Sequence, residues 1–562
     1  MIFLTGLTYF ALLLLSLVKT SVQIPIAADA KDWTLQEWDV IVVGAGPAGI
    51  IVADRLSEVG KKTLLLERGG KSYGIVGGTE KPSWLDGTDL SRVDVPGLYK
   101  SIFSEPTNLT CGSNVDAYGG CTIGGSSAIN AGLFFQPPAS DWDTFHPDGW
   151  KAADVQNATQ KLYARQASVV SYSENQQFYL QSGYEAARTW LVNGAGFSDV
   201  TINDQPDEKY QVFGRPAFDY ANGQRGGPVT TYLQSALQRS NFLLHSNVLV
   251  RRVIRSGPKA TSVLASVNGS DIEIKLSCSG RVILSCGAIQ SPQILMNSAI
   301  GDPSTLSKLQ QADLLGNMSP STWINNTAVG NGLFDNPNTF IELSAPTISS
   351  YTYNYTPSSS DQDLYLLNRS GPYTFASQTS VFWTYVNHTD GSPPAGIQGT
   401  IDSSGFGAFS SNQTITLNIY GTSGLLSTGK VILSSNLLTA GPSASLLYSD
   451  PASRDATDIS NAIFSLFQTL PSDLTPLNIP RNATADEIKE YITTPSNYAV
   501  GEVNHWSSSC RLGECVDTNT TVIGMENLHV VDASILNPLT VNPQFGVMVA
   551  AERAVELITS LL

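Results

Sequence analysis

The stretch 38-WDVIVVGAGPAGIIVADRLSEVGKKTLLLERGG-70 decides the fold. It begins with Val40 to Val43, an apolar, mostly β-branched run with the pattern of a strand buried on both faces. Gly44, Gly46 and Gly49 follow, the chain then reads as an amphipathic helix, and a second strand, 63-TLLLE-67, ends in Glu67. Each part has a physical reason. The glycines permit a tight turn and let a pyrophosphate approach the backbone, while the helix N-terminus offers free N–H groups and the positive end of its dipole. Glu67 is placed to accept hydrogen bonds from an adenosine ribose. Three glycines at this spacing are a weak signal alone, but strand, turn, helix, strand and acid together predict a dinucleotide-binding α/β unit. A glycine loop used only for packing would leave Glu67 without a role.

At 562 residues the chain exceeds the usual single-domain size, so two domains, or one large domain with an elaborated cap, are expected. With 32 basic and 48 acidic residues the formal charge is -16, and there is no clustered Lys/Arg run. That balance argues against a nucleic-acid or anionic-membrane partner. The N-terminal run 7-LTYFALLLLSLV-18 has signal-peptide length and is shorter than the roughly 20 residues a spanning helix needs. A signal peptide over 1–22, secretion and no membrane span are expected, although no basic residue precedes the run. N-x-S/T sequons at Asn108, Asn157, Asn268, Asn317, Asn325, Asn354, Asn368, Asn387, Asn412, Asn482 and Asn519 fit an extracellular glycoprotein. An oxidising compartment allows disulfides. Cys510 and Cys515 are close enough to bridge, and Cys111 with Cys121 is a second candidate pair. Cys278 and Cys286, at the strand-like 281-RVILSC-286, are expected as buried thiols. Zinc is the competing reading of the cysteines, but no histidine is spaced to complete a site, so no metal is expected.

From about 331 to 480 charged residues thin out, and segments such as 380-SVFWTYV-386, 414-TITLNIYG-421 and 430-KVILSS-435 alternate with Ser/Asn/Gly/Pro breaks. An antiparallel sheet is expected there, with 357-PSSSDQD-363 as a surface loop. Glycines and serines crowd 119-GGCTIGGSSAINAGLFFQPP-138, as expected where backbone must approach a bulky cofactor. In 287-GAIQSPQILMNSAIG-301 a Ser-Pro step is expected to open a short helix.

These two stretches, together with 530-VVDASILNPLTVNPQFGVMVAAERAVELI-558, resemble the glucose-methanol-choline (GMC) family of FAD oxidoreductases, in the family's order from about Trp38 to Ile558. Ala299 stands where the family's second signature usually has glycine. Within the family, 120-GCTIGGSSAINAGLFF-135, 222-NGQRGGPVTTYLQSALQRSNF-242, 329-VGNGLFDNPN-338 and the triplet Asn504, His505, Trp506 most resemble the flavodehydrogenase domain of the cellobiose dehydrogenases, and the haem domain of those enzymes is not expected here. The resemblance implies an α/β fold: a Rossmann-like FAD-binding domain from 36–140, 225–330 and 500–562, and an antiparallel-sheet substrate domain from 141–224 and 331–499. It implies non-covalent FAD, since Gly120 to Asn130 contains no histidine for a tether. It also implies a secreted, monomeric enzyme acting on a saccharide, at the anomeric carbon, with a quinone or metalloprotein taking the electrons. The alternatives are an aryl or aliphatic alcohol oxidase reducing oxygen, an FAD-containing protein of the hydroxynitrile lyase type, and a silent binding protein.

Alcohol oxidation moves a hydride from carbon while the hydroxyl loses its proton, and imidazole is the side chain suited to take that proton near neutral pH. By resemblance His505, in 504-NHWSSSCRLGEC-515, is that base, and Asn542, in 541-VNPQ-544, stands on the other side of the substrate oxygen. Taken without the family, a single loop histidine is more often a surface or packing residue, and Asn542 before Pro543 an ordinary turn residue. Asn504 is a candidate for a sugar hydroxyl; Trp506 is read as packing. Gly124, Gly125, Ser126, Ser127 and Asn130 are expected along the pyrophosphate and flavin. Val250 is expected at the adenine, Asp532 near the pyrophosphate and ribityl chain, and Phe545 near the flavin, with plain apolar packing as the rival for Val250 and Phe545. His146, His245, His388 and His529 match no catalytic position.

Overall fold

The computed structural model describes residues 32–562, apart from residues 113, 114, 167, 317 and 445. The expected signal peptide, 1–22, and Asn317 lie outside the described residues. β1 (Glu37–Val43) and β2 (Thr63–Leu66) form where the apolar runs predict them, with α1 (Pro47–Glu58) between. β3 (Phe242–His245), β4 (Ser270–Leu284) and β5 (Leu528–Val530) complete a parallel sheet in the order β3-β2-β1-β4-β5. The first half of β4 also pairs antiparallel with Lys259–Val267, which pairs in turn with Val248–Ser256. The strand order reverses between β1 and β4, and in open α/β sheets a crevice forms outside the carboxyl ends at such a point.

Backbone-to-backbone contact shapes that crevice. Gly44 has φ +99°, and a Cβ there would lie 2.4 Å from the Ser285 carbonyl oxygen at the end of β4. A Cβ on Gly49 would lie 1.9 Å from the Gly44 carbonyl oxygen, so α1 sits directly on the turn. The helix after β4, α2 (Gly287–Asn297), begins four residues before the Ser291–Pro292 step and carries Pro292 inside it, a correction to the expected start. Pro292 has no N–H for the Ala288 carbonyl one turn back. The Ser509 hydroxyl donates to that carbonyl instead, at 2.5 Å.

An eight-stranded sheet runs Thr475–Pro476, Pro337–Ser344, Thr414–Gly421, Ala395–Asp402, Gln378–Val386, Val212–Gly214, Ser198–Asp199, with Ala499–Glu502 also paired to Pro337–Ser344. All neighbours are antiparallel except the last pair of the main path. Alternation gives this sheet two chemically different faces. Ile341, Leu343, Ile397, Ile401, Ile415, Leu417 and Ile419 point into one core with Ile459, Ile463, Ile488 and Ile492 of the helices Arg454–Phe467 and Ala485–Thr493. Each such fully buried side chain contributes roughly 1.5–3 kcal/mol. The residues between them face the other way. The strand Gly429–Leu433 lies outside this sheet, in a three-stranded one with Asn331–Leu333 and Ala440–Pro442.

Two expectations fail locally. Residues 359–368 form a helix, not a loop, and the Ser358 hydroxyl caps it by accepting from the Asp361 N–H. Cys278 is exposed, because β1 and β4 change register there: Trp38 pairs with Leu276 but Val40 with Arg281, so residues 277–280 bulge opposite Asp39. Cys286 is half-buried and donates to the Val43 carbonyl at 3.1 Å. Disulfides join Cys111 to Cys121 and Cys510 to Cys515. The described sequon asparagines are exposed, except Asn519, which is half-buried. No helix among the described residues is long and apolar enough to cross a membrane.

The turn yields a paired prediction. Gly49→Ala places a methyl against backbone that cannot move away, at a cost of about 3 kcal/mol or more, and lowers Tm. Gly46→Ala, whose Cβ would meet nothing nearer than the Ser285 oxygen at 3.9 Å, leaves the Tm of the apoprotein unchanged. Calorimetry on both variants checks this; equal melting points would contradict it.

Candidate active site

A cavity of about 510 Å³ extends from the carboxyl ends of the parallel strands to the polar face of the antiparallel sheet. This is the size of a small-molecule or cofactor site. Gly44, Gly46, Glu67, Gly125, Ser126, Ser127, Asn130, Val250, Asp532, Asn504, His505 and Asn542 all line it. Three expected residues do not. Gly49 packs α1 on the turn, and Gly124 is turned inward, its N–H donating to the Ala45 carbonyl at 2.7 Å. Phe545 is fully buried between Phe134 and Tyr163, so apolar packing is its role.

The parallel-sheet end of the cavity suits an extended dinucleotide. The space over Gly46, at the N-terminus of α1, is open, whereas a Cβ on Gly125 would come within 2.8 Å of the Gly46 Cα. The two glycine-rich segments therefore lie against each other and leave one side free for a ligand. Glu67 takes the N–H groups of Ala45 and Gly69, each at 2.8 Å, and each oxygen keeps a second lone pair for ribose hydroxyls. Burial raises its pKa, against the lowering effect of those two N–H bonds. Asp532 accepts from the Gly287 N–H at 2.9 Å and the Ser291 hydroxyl at 2.5 Å, tying β5 to the start of α2. Asn130 is held by Arg225 at 3.0 Å and by Gln544. A dinucleotide here would meet Glu67 and Val250 at one end, the α1 N-terminus and Ser126 at its middle, and Asn130 and Asp532 beyond.

At the other end His505 meets Asn542. The Asn542 Nδ2 lies 3.1 Å from His505 Nε2, and His505 Nδ1 lies 2.8 Å from the Asn336 Oδ1. Since an amide nitrogen only donates, Nε2 is the accepting nitrogen and Nδ1 carries the proton. Burial pushes the His505 pKa down to about 3, so the imidazole is neutral at ordinary pH. Its loop is fixed from beneath: the Asp335 carboxylate takes the N–H groups of His505 at 2.7 Å and Asn504 at 3.0 Å. Burial pushes the Asp335 pKa up to about 7, against those N–H bonds. Beyond His505, Ser507 pairs with Phe334, the Ser508 N–H donates to Ala533, and Cys510 bonds Ser534 inside its disulfide with Cys515. Trp506 packs beside this loop, its Nε1 donating to the Tyr118 carbonyl at 3.2 Å, and it also lines the cavity.

The sequence reading assigned no role to Asp335 or Asn336, although both lie in 329-VGNGLFDNPN-338. It missed Gln544 and the sheet face above the site: Asn338, Phe340, Thr400, Asn418 and Tyr420, with Gln378 at the edge, line the cavity. Period-2 alternation was the signal for Phe340, Thr400, Asn418 and Tyr420, each next to a core-facing isoleucine or leucine on its own strand. The other histidines are structural. His146 bonds Asp141 and Asn537, His245 stacks on Trp33, His388 pairs with Asp458, and His529 meets Arg281. Among the described residues no group of three or more His, Cys, Asp or Glu is placed to hold a metal.

Comparison with known proteins agrees with this architecture. The chain is 29% identical over 311 residues to a GMC-type oxidoreductase of Rhodococcus erythropolis, covering 53% of this chain and 58% of that one. It is 29% identical over 289 residues to an oxygen-dependent choline dehydrogenase of Pseudomonas savastanoi, covering 49% and 50%. The chain thus spans between half and three-fifths of the length of these relatives. A formate oxidase crystal structure superposes with a TM-score of 0.73 at 16% identity, covering 93% of this chain and 98% of that one. A fungal aryl-alcohol oxidase superposes at 0.68 and 17% identity, covering 93% and 99%. Both structural likenesses show the fold. The GMC oxidoreductase family models match residues 40–338 and 426–551, more than half of the chain, and the protein belongs to the GMC oxidoreductase family.

Proposed function

We propose that the protein is a secreted, FAD-dependent oxidoreductase that oxidises the CH–OH group of a saccharide, at the anomeric carbon to a lactone. One observation carries the reading: a single cavity joins the glycine turn, the His505–Asn542 pair and a sheet face rich in side-chain amides. The buried amide oxygens of Asn338, Gln378, Asn418 and Asn504 have no partner among the described residues. Buried polar atoms need partners, and a substrate with several hydroxyl groups would satisfy them. FAD, when bound, supplies the hydride acceptor. His505 Nε2 accepts the hydroxyl proton, and the Asn542 N–H donates to the oxygen as it gains negative charge. Asn504 binds a further hydroxyl. Non-covalent FAD, a monomeric enzyme and a quinone or other electron acceptor complete the proposal; exposed sequons and two disulfides favour secretion.

A second reading, oxidation of an aryl alcohol, is favoured by the aromatic side of the cavity, where Phe103 is 59% exposed and stacks on Tyr118 at 5.0 Å. Anaerobic bleaching of the flavin by cellobiose or glucose supports the first reading. Bleaching by an aryl alcohol alone supports the second, and no bleaching by either class overturns both. Acid denaturation followed by filtration should release the flavin; retained yellow protein would contradict non-covalent binding.

The mechanism predicts that His505→Ala keeps FAD but loses on the order of a hundred- to ten-thousand-fold in flavin reduction. Asn542→Ala, which removes one donor to the developing alkoxide, loses a few kcal/mol of transition-state stabilisation. Because the neutral imidazole is the active form and burial lowers its pKa, the rate should hold as pH falls through 6.5, the ordinary value, and fail only in more acidic solution, towards about 3. Negative charge brought in with the cofactor lifts that pH, while burial holds it below the ordinary value. Stopped-flow reduction against pH measures this; a midpoint at or above 6.5 would show that burial does not dominate.

A further inference from the structure

We propose that Gln398 and Trp383, which stand behind the cavity wall, are positioning residues that fix the direction of the hydrogen bonds at His505 and Asn542, and with it the tautomer of His505. The proposal rests on the reading of those two residues as the reacting pair.

A side-chain amide fits a site in two orientations related by a half-turn, and only one lets Asn542 donate towards His505 and a substrate oxygen. The choice is forced from the far end. An indole N–H can only donate. Trp383 Nε1 donates to Gln398 Oε1 and to the Thr540 carbonyl, each at 3.1 Å. With Oε1 facing the indole, Gln398 Nε2 faces Asn542 and donates to its Oδ1 at 2.6 Å. The Asn542 oxygen is then committed, and Nδ2 faces His505 Nε2 at 3.1 Å. His505 must accept at Nε2 and carry its proton on Nδ1, where the Asn336 oxygen receives it at 2.8 Å.

Burial makes the sequence of bonds directional. Trp383 and Gln398 are fully buried and Asn542 is 9% exposed, so reversing one amide would set like atoms against each other where water cannot relieve them. Asn542 is also the N-cap of α3 (Pro543–Thr559), yet its side chain makes no capping bond. Asparagine in that position ordinarily turns its oxygen to the helix N–H groups. Here Gln398 holds the oxygen instead and frees the N–H end for the site.

The titratable groups around the relay are few. Asp141 binds the Thr540 N–H and hydroxyl at 2.7 and 2.6 Å, and the Tyr385 hydroxyl lies 3.3 Å from the Thr540 hydroxyl. The Lys209 ammonium lies 5.2 Å over the Trp383 ring, and the Tyr420 hydroxyl is 3.5 Å from Asn542 Oδ1. Asp335 holds the His505 main chain. The hydrogen bonds of the Gln398 side chain run to Trp383 and Asn542.

The test uses the FAD-loaded protein and three variants: Gln398→Leu, Gln398→Glu and Trp383→Phe. With 15N-labelled histidine, ring-nitrogen shifts report the His505 tautomer without any substrate, the signal being assigned by its loss in His505→Ala. Wild type should show the proton on Nδ1. Gln398→Leu should lose that preference, keep its flavin, and reduce it on the order of a hundredfold more slowly, as for a lost transition-state donor. Gln398→Glu distinguishes directing from mere packing. Its protonated acid can accept from Trp383 and donate to Asn542, but its carboxylate cannot donate. Flavin reduction in that variant should therefore fall as pH rises, opposite in sign to wild type. Trp383→Phe keeps the ring, removes the fixed donor and should weaken the tautomer preference. A Gln398→Leu protein with wild-type tautomer and rate, or a Gln398→Glu profile superposable on wild type, would overturn the proposal. Gln398→Glu is isosteric and decides the matter should the leucine variant not fold. If no saccharide or alcohol reduces the wild-type flavin, the functional reading fails while the tautomer measurement still judges the relay.

Discussion

The close approach of backbone at the glycine turn is the constraint on which the rest depends. Gly44, Gly49 and Ser285 meet without side chains between them, so β1, α1 and the end of β4 share one point. Gly125 brings a fourth segment against Gly46 from the other side. Because these contacts are between main chains, they cannot be relaxed by rotamer changes, and the crevice has a fixed shape before any ligand arrives. Helices α1 and α2 both start at that crevice, and their N-termini give it a local positive potential in a chain of formal charge -16.

The second half of the site is built by alternation. One antiparallel sheet buries isoleucine and leucine against helices on one face and turns asparagine, threonine and aromatic residues to the cavity on the other. Cavity-facing residues can therefore differ without disturbing the core behind them. This is why relatives with one fold can act on unlike substrates, and why fold likeness at 16–17% identity leaves substrate choice to the cavity itself.

Legibility followed the physics of each segment. The 38–70 unit was readable because its signal is local: a periodic strand, glycines at fixed spacing and an acid a fixed distance on. His505 and Asn542, 37 residues apart, were read only through resemblance, since nothing local says that two loops converge. Asp335 was passed over because its role is to hold other residues' N–H groups, which leaves no sequence pattern. The helix after Ser358 did carry a local sign, serine followed three residues later by aspartate, but serine-rich composition masked it. Phe545 shows the opposite error: nearness to a family motif placed it at the ligand, whereas its ring fills the core behind.

In its proposed role as base, a histidine with so low a pKa raises the question of what would make it effective. In water, an imidazole that resists protonation would be a poor acceptor. Here the resistance comes from burial, as desolvation of the cation, and no positive charge among the described residues is placed against the ring. The ring is consequently neutral, in one tautomer, and held by Asn336 and Asp335 with no competing protonated population at ordinary pH. In the proposed reaction, fixed dipoles already aligned for the charge that develops as the proton moves would do the work that solvent reorganisation does in water. The same enclosure that lowers the basicity of the ground state holds the pair in one arrangement, so the gain in orientation and the loss in basicity have one structural cause.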